Sequence, residues 1–492
     1  MRTDRAAGPG AGPDGRSPGR VLVIGGGIAG LAAAHRLTGA GAEVVLLEAG
    51  PRLGGKLYAG ELAGAAVDLG AESVLARRPE ALELARAVGL GEALRPPATA
   101  TATLWTRGAL RPMPAGHVMG VPGDLGLLAA SGVLSEEGLR RTARDAELPA
   151  TEVGEDVAVG AFVAARLGRE VVDRLVEPLL GGVYAGDAYR ISLRAAVPQL
   201  FEAARTHRSL AEGVRAVQRR AAAAPQAGGP VFQGIEGGIG RLPLAVAEAC
   251  RAAGADLRTG TAVRELARTA AGWRALTSDG AVLTADAVVL AVPAGPAARL
   301  LAGVAPAAAG ELEAVEYASM ALVTLAFRRS ELPESLTGPG AGSGFLVPPV
   351  DGRTIKASTF SSNKWAWTGR EEPELFLLRT SVGRHGDEAD LERDDVDLVA
   401  ASLTDLGAAV GLTARPVAST VTRWDGGLPQ YPVGHLERVA RIRAAVAAVP
   451  GLEVCGALYD GVGVPAVVSS ARKAADAITG TLAKSTDADT GQ

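Results

Sequence analysis

The stretch VLVIGGGIAGLAAAHRLTGAGAEVVLLEAGPRLGGK, at residues 21–56, decides the fold of the first part of the chain. Residues 21–24 form a continuous apolar run, which is typical of a parallel strand buried on both faces. The run enters the pattern G-x-G-x-x-G at residues 25–30, and an Ala- and Leu-rich segment of helical character follows at residues 31–37. With Glu43–Leu47 as a second apolar run, the stretch predicts a strand, a tight turn, a helix and a second strand.

Each glycine of the pattern has a physical reason that points to dinucleotide binding. Gly25 permits the tight turn, Gly27 lets a pyrophosphate approach the backbone, and Gly30 lets the helix lie close to the strand. The start of the helix offers free N–H groups and a partial positive charge to phosphates. Glu48 ends the second strand, where its carboxylate can accept both ribose hydroxyls. The alternative is a glycine turn between an ordinary strand and helix.

The residues after Glu48 favour FAD over NAD. Gly54 and Gly55 follow this acid by six and seven residues, and Lys56 comes next. An acid followed by a glycine pair resembles the extended flavoprotein fingerprint, in which a second loop also wraps the cofactor. The sequence therefore predicts an α/β fold with a Rossmann-like FAD-binding domain.

Composition places the chain among ordinary globular proteins of two or three domains, since it has 492 residues, 48% hydrophobic and 21% charged. A net charge of −4 gives no global attraction to nucleic acid or membrane. Cys250 and Cys455 do not have the spacing of a metal site, so we expect no metal. They also give no disulfide framework, which fits a reducing cytoplasm. Residues 1–20 lack the apolar core of a signal peptide and predict a disordered tail.

No apolar run is long enough to span a bilayer, and we expect a cytoplasmic protein without a transmembrane segment. The apolar residues 121–134 favour a buried helix, with contact at a membrane surface as the alternative. Residues 101–210 predict a largely helical lobe, because apolar residues recur there at helical spacing. Residues 310–415 mix strand and helix patterns and predict an antiparallel sheet beside that lobe.

The end of the chain offers a second place where backbone can face the flavin. A last strand at residues 452–456 enters a glycine-rich turn, and a final helix is predicted over residues 469–479. Residues 67–73 predict another strand that ends in a glycine turn near the cofactor. Arg77 and Arg78 follow that turn directly and predict an anion site, although two adjacent arginines can equally be solvated surface.

Several specific motifs run through the rest of the chain: GAES at residues 70–73, EPLLGGVYAGD at 177–187, THRSL at 206–210, VTRW at 421–424, PQYPVGH at 429–435 and GVGVP at 461–465. Together with the glycine fingerprint they resemble the monoamine oxidase-like flavoprotein superfamily. More narrowly, the chain resembles the protoporphyrinogen oxidase family, and within it the coproporphyrinogen III oxidases of Gram-positive bacteria. One departure from the family pattern is Ala466, where an acid often follows the proline.

The resemblance implies three parts: a Rossmann-like FAD domain, a mixed-sheet substrate domain and an inserted helical domain. We assign residues 21–74, 231–295 and 421–480 to the first, residues 75–100, 205–230 and 296–420 to the second, and residues 101–204 to the third. The implied FAD contacts are Gly25, Gly26, Gly27, Ile28, Ala29, Gly30, Glu48, Ala49, Lys56, Gly70, Ala71, Glu72, Ser73, Val263, Trp424, Val462, Gly463 and Val464.

The resemblance further implies oxidation of a porphyrinogen with O2 as acceptor and H2O2 as product, in haem biosynthesis. Such a reaction needs positioning over the flavin more than acid–base power, and we identify no catalytic residue among the five scattered histidines. Coproporphyrinogen has four propionates, so basic residues around the pocket would favour it over protoporphyrinogen. The candidate partners of these propionates are Arg77, Arg78 and Lys364.

Three other readings stay open from the sequence: a protoporphyrinogen IX oxidase, a flavin amine oxidase or carotenoid desaturase of the same fold, and a carrier without catalysis. A downstream ferrochelatase is a candidate partner, and the oligomeric state is open. An amine oxidase would need an aromatic cage, for which Trp424 and Tyr459 are the candidates.

Overall fold

The computed structural model describes residues 19–223, 229–368, 370 and 372–489, so the predicted tail at residues 1–20 lies, except for its last two residues, outside the described part. A five-stranded parallel sheet organises the first layer. Its strands in spatial order are Asp256–Arg258, Glu43–Leu47, Arg20–Ile24, Ala287–Leu290 and Leu452–Val454. The central strand buries residues 21–24 completely or nearly so, as its apolar run predicted.

Helices cover one face of this sheet. They are Ile28–Gly39, Glu80–Ala87, Arg241–Ala252 and Val464–Asp489. Small residues of the first helix, such as Ala33, pack against the last helix at Ala471 and Ala475, which lets the two helices lie close together. The last helix is longer at both ends than the predicted residues 469–479.

The opposite face carries an antiparallel three-stranded sheet and three further helices around Trp273 and Leu301. The strands are Val263–Thr269, Gly272–Thr277 and Val282–Ala285, and the helices are Ala294–Leu301, Pro306–Glu313 and His435–Ala447. The parallel sheet between two layers confirms the α/β, Rossmann-like fold class.

A seven-stranded sheet forms the second large unit. Its strands in spatial order are Ala418–Pro429, Tyr317–Arg328, Leu375–Val382, Ile355–Thr359, Gly344–Leu346, Ala102–Thr106 and Ala109–Pro112. Only Gly344–Leu346 and Ala102–Thr106 pair in parallel, so the sheet is mixed. Helix Asp395–Val410 packs on one face, where Leu398 and Leu406 are buried.

The expectation of helices from residue 101 onward is wrong at its start, because Ala102–Thr106 and Ala109–Pro112 are strands. Arg107 and Gly108 both have positive φ, at 54° and 74°, and make the tight turn between them. The Arg-Gly pair between two short runs was the sequence signal for this hairpin.

Helices dominate residues 125–210, as predicted, and the last of them continues to residue 222. They are Leu125–Ser131, Glu136–Ala143, Val159–Leu167, Arg169–Val171, Glu177–Tyr184, Leu193–Ala196, Pro198–Thr206 and Leu210–Ala222, with a π-helical turn at Val172–Val176 and a 3₁₀ turn at Arg144–Ala146. We call this unit the helical lobe. The helix predicted within residues 121–134 spans Leu125–Ser131, and it buries Leu128 but exposes Leu125 and Leu127.

The remaining elements are short. The strands are Ala59–Leu62 with Ala65–Asp68, His117–Val118 with Val121–Pro122, and Phe232–Ile235 between Val74–Leu75 and Leu94–Arg95; the helical turns are Gly91–Ala93, Arg329–Glu331, Glu334–Thr337, Pro349–Asp351, Ser361–Lys364 and Ala389–Glu392. Within the described ranges no helix is long and apolar enough to cross a membrane. The predicted three-part division of the chain stays a prediction.

Candidate functional site

The glycine turn after the central strand has the geometry that a pyrophosphate needs. Gly25 has φ +110°, and a Cβ there would lie 2.5 Å from the carbonyl oxygen of Ala291. A Cβ at Gly30 would overlap the carbonyl oxygen of Gly25, so only glycine lets the helix lie this close to the turn. Gly27 faces open space, because the nearest atom to a Cβ there is the Gly55 Cα at 3.9 Å.

Glu48 fastens two loops of the site. Its Oε2 accepts the Gly26 N–H at 2.6 Å, and its Oε1 accepts the Gly50 N–H at 2.7 Å. Each carboxylate oxygen keeps a second lone pair, so the group can still accept ribose hydroxyls. The Glu48 carbonyl accepts the Thr261 N–H at 2.8 Å, so the segment that leads into Val263 lies next to Glu48. Ala49, also predicted to contact FAD, is exposed.

The predicted second loop lies against the first. The Gly54 N–H donates to the Gly26 carbonyl at 2.8 Å, and Gly54 and Gly55 both have positive φ. Lys56 is open to solvent by surface area, yet it lies deep enough among surrounding protein for desolvation to lower its pKa. This combination is expected of a cation inside a cleft.

The GAES turn at residues 70–73 packs on the second loop. The Ala71 N–H donates to the Lys56 carbonyl at 3.1 Å, and a Cβ at Gly70 would overlap that carbonyl oxygen. Trp424 reaches the same place from the long strand Ala418–Pro429, because its Nε1–H donates to the Leu69 carbonyl at 3.1 Å. The structure therefore brings four separated segments of the predicted cofactor set together.

Two helices point their N-termini toward one edge of the parallel sheet. Ile28–Gly39 and Val464–Asp489 each begin shortly after the carboxyl end of a parallel strand. They lie side by side, since Arg36 pairs with Asp476 at 2.7 Å. Val462, Gly463 and Val464 lie half-buried at the start of the second helix. Free N–H groups of both helices thus face the same edge.

Glu72 joins this cofactor turn to the seven-stranded sheet. Its side chain is 6% exposed, and it pairs with Lys364 Nζ at 2.5 Å and Arg379 Nε at 3.2 Å. Burial alone would raise the pKa of Glu72, but the two cations hold it below its usual value. Lys364, predicted to bind substrate, is therefore already engaged by an acid.

Sequence reasoning missed two members of this arrangement. Arg379 also donates to the Gly70 carbonyl at 2.6 Å, from a strand more than three hundred residues later. Asp68 accepts the N–H groups of Ile239 and Gly240, each at 2.9 Å, and its pKa is raised to about 6, chiefly by burial. A lone acid before the GAES motif was the only local signal for Asp68.

Arg77 and Arg78 lie beyond the cofactor turn with different surroundings. Both side chains are exposed, and Arg78 in addition pairs with Glu80 at 2.7 Å. Leu75, which pairs with Phe232 across two short strands, is 41% exposed, and Phe232 is 38% exposed. An exposed apolar pair beside two arginines suits a ligand with an apolar body and carboxylate arms.

Three of the five histidines are hydrogen-bonded, ion-paired or buried in the fold. His117 accepts the Gly120 N–H at 3.1 Å, His385 pairs with Glu316 at 3.3 Å, and His435 is buried. In the described part of the chain, no three His, Cys, Asp or Glu residues are placed to hold a metal ion.

Comparison with known proteins agrees with this geometry. Residues 28–479 match the family described as flavin containing amine oxidoreductase. The chain belongs to this family. Coproporphyrinogen III oxidase of Mycobacterium leprae is 37% identical over 94% of this chain and 98% of its own length, and the Bacillus subtilis enzyme of that name is 33% identical over 93% and 98%.

Among solved structures, one from Exiguobacterium sp. 255-15, named as a candidate protoporphyrinogen oxidase, superposes with a TM-score of 0.83 at 34% identity. The match covers 94% of this chain and 99% of that one. The chain is thus an oxidoreductase of the porphyrinogen oxidase group, and FAD is its cofactor.

The residues present fit FAD. The open space at Gly27 and the two helix N-termini suit its pyrophosphate, Glu48 suits its ribose, and Lys56 supplies a cation within the cleft. Which of the predicted residues touch the bound cofactor stays a prediction.

Proposed function

We propose that this chain oxidises coproporphyrinogen III to coproporphyrin III, with O2 as acceptor and H2O2 as product. Six hydrogens leave the substrate, and three molecules of O2 take them up as three molecules of H2O2. FAD, when bound, accepts hydride from carbon. The main support is the near full-length similarity to enzymes named coproporphyrinogen III oxidase in two bacterial lineages.

In this reaction the residues of the chain bind the substrate and hold it in a fixed position relative to the flavin. Binding a macrocycle over the flavin brings the reacting carbon to near-attack distance and supplies a large part of the catalysis without a protein base. We assign the apolar body of the substrate to the surface around Leu75 and Phe232, and a propionate to Arg77, because these side chains are exposed beside the cofactor turn.

Substrate preference follows from the number of carboxylates. A charge-assisted hydrogen bond is worth about 1.5–3 kcal/mol, so a propionate on Arg77 would improve binding by roughly tenfold or more. Arg78 is the weaker candidate because Glu80 already neutralises it, and Lys364 is the weakest because it balances Glu72.

Anaerobic mixing with each porphyrinogen tests the proposal. We expect coproporphyrinogen III to bleach the flavin absorbance faster and at lower concentration than protoporphyrinogen IX. Admission of O2 should restore the absorbance and release H2O2. Bleaching by protoporphyrinogen alone would move the assignment to protoporphyrinogen oxidase.

Arg77→Ala should raise the KM for coproporphyrinogen about tenfold with little change in kcat, because it removes binding made equally in ground and transition states. Arg78→Ala should raise it less. Arg328→Ala is the matched control, since Arg328 is an exposed arginine on the seven-stranded sheet whose ion pair with Glu331 is long, at 3.9 Å. Equal KM values for all three variants would remove Arg77 from the site.

An amine oxidase is a weaker candidate. Of the two aromatic residues proposed for a cage, Tyr459 is buried in the core beneath the parallel sheet, and Trp424 is fixed by its bond to Leu69. Absence of oxidation with simple primary amines would agree with this. A cytoplasmic location, contact at a membrane surface and transfer of product to a ferrochelatase stay predictions.

A further inference from the structure

The segment at residues 430–435, which follows the long strand Ala418–Pro429, is fastened to the helical lobe. Gln430 Nε2 donates to the Tyr184 carbonyl at 2.9 Å, and the Ser192 N–H donates to the Tyr431 carbonyl at 2.8 Å. The Gly434 N–H donates to the carboxylate of Asp156 at 3.2 Å. The position of this segment is therefore set by the lobe.

The same segment reaches the glycine-rich loop at residues 456–463, which leads into the final helix. The hydroxyl of Tyr431 donates to the Ala457 carbonyl. Tyr431 is only 2% exposed. The phenol group thus ties the segment to the start of the loop.

Neighbouring rings fix the orientation of Tyr431. His435 stacks on it with centroids 3.8 Å apart and an interplanar angle of 13°, and Tyr184 of the helical lobe lies at 5.4 Å. His435 is 1% exposed and lies beside the Leu458 backbone, and burial lowers its pKa to about 4, so it is neutral near pH 7. The ring therefore has little freedom to turn away from the loop.

We propose that Tyr431 is a positioning residue for the flavin: its hydroxyl holds the loop at residues 457–461 in the shape that sets Val462, Gly463 and the start of the final helix against the cofactor. A loop that is already closed before FAD arrives loses less conformational entropy on binding. Because the Tyr431 ring also contacts Tyr184 of the helical lobe, it fixes the position of the flavin relative to the lobe. The inference depends on FAD as cofactor and is independent of which porphyrinogen is oxidised.

Tyr431→Phe tests this, since it keeps the stacked ring and removes only the hydroxyl. We expect the Kd for FAD, measured on the apoprotein by flavin fluorescence, to rise about threefold to tenfold, as the loss of one hydrogen bond implies. The midpoint potential and the visible bands of the bound flavin should shift as well. Tyr189→Phe is the matched control, because it removes a 2.7 Å bond to Asp173 within the helical lobe.

An unchanged Kd and midpoint potential in Tyr431→Phe, or equal changes in Tyr189→Phe, would overturn the inference. Should the variant not fold, hydrogen exchange of the unmodified protein decides. The amides of residues 457–461 should be protected in the apoprotein nearly as well as with FAD bound. Fast exchange of these amides without FAD would show that the cofactor, rather than Tyr431, orders the loop.

Discussion

Replacing Lys364 by methionine removes one of the two cations that face the buried carboxylate of Glu72. Methionine keeps most of the length of the lysine side chain, so the change is mainly one of charge. Lys364 Nζ lies 2.5 Å from one carboxylate oxygen, and Arg379 Nε lies 3.2 Å from the other. After the substitution Arg379 alone balances Glu72.

Breaking a buried ion pair on one side costs about 3–5 kcal/mol, because the remaining charge keeps its desolvation penalty. Arg379 still offsets part of this in Lys364→Met, so we expect a loss of about 3 kcal/mol in the free energy of unfolding. The pKa of Glu72, held down by the two cations, should rise. In Glu72→Gln with Lys364→Met the buried carboxylate is absent while Arg379 keeps its charge, so part of the loss should return.

Urea unfolding of the FAD-loaded protein at pH 7 measures these differences, with both single variants and the double variant forming a cycle. A loss below about 1 kcal/mol in Lys364→Met, or additive effects of the two substitutions, would refute the reasoning. A raised KM for coproporphyrinogen with unchanged stability would instead return Lys364 to the role of a propionate ligand.

Two further predictions follow from the described contacts. Gly30→Ala should abolish FAD binding, because the new Cβ would overlap the Gly25 carbonyl oxygen. Gly39→Ala lies in the same helix, where a Cβ has nothing within 4 Å, and should keep FAD binding. The flavin absorbance of the purified variants tests this, and a fully loaded Gly30→Ala protein would contradict the prediction. His435 should make the fold acid-sensitive, because its pKa is about 4 in the folded protein but about 6.5 in the unfolded chain. Its contribution to the free energy of unfolding is therefore complete above pH 6.5 and is lost as the pH falls toward 4, by up to about 3 kcal/mol. Unfolding free energies at pH 7 and pH 4.5 should therefore differ less in His435→Phe than in the unmodified protein, and equal differences would contradict this.

The fingerprint at residues 21–56 could be predicted because the residues that determine its structure are close together in the sequence. The glycines, the helix and Glu48 are adjacent in sequence, and each has a steric or electrostatic reason that needs no distant partner. The structure has the predicted strands and turn there, with the second strand at Glu43–Leu47 as expected.

The surroundings of Glu72 could not be predicted in the same way. Arg379 is one residue of a strand with a continuous apolar character, and nothing local marks it as the partner of an acid near residue 70. Lys364 looked like a free cation for a substrate carboxylate because the sequence does not show which acid faces it. Ion pairs between distant segments depend on how sheets are placed, which periodicity does not encode.

The two strands near residue 105 show a different limit. The prediction of helices over residues 101–210 includes Ala102–Thr106, because apolar residues farther along this stretch recur at helical spacing. Thr103 and Trp105, however, favour a strand. A short edge hairpin gives a weak pattern, and its pairing with Gly344–Leu346 decides the outcome from far away.

The order of strands in the parallel sheet also constrains how the protein is made. Arg20–Ile24 lies between Glu43–Leu47 and Ala287–Leu290, and the edge strand Leu452–Val454 is synthesised more than four hundred residues after it. The helical lobe, by contrast, draws all of its core except Tyr431 from residues 104–214. The lobe can therefore collapse during synthesis, whereas the parallel sheet is incomplete until Leu452–Val454 has been made, and its earlier strands are exposed to misassociation until then.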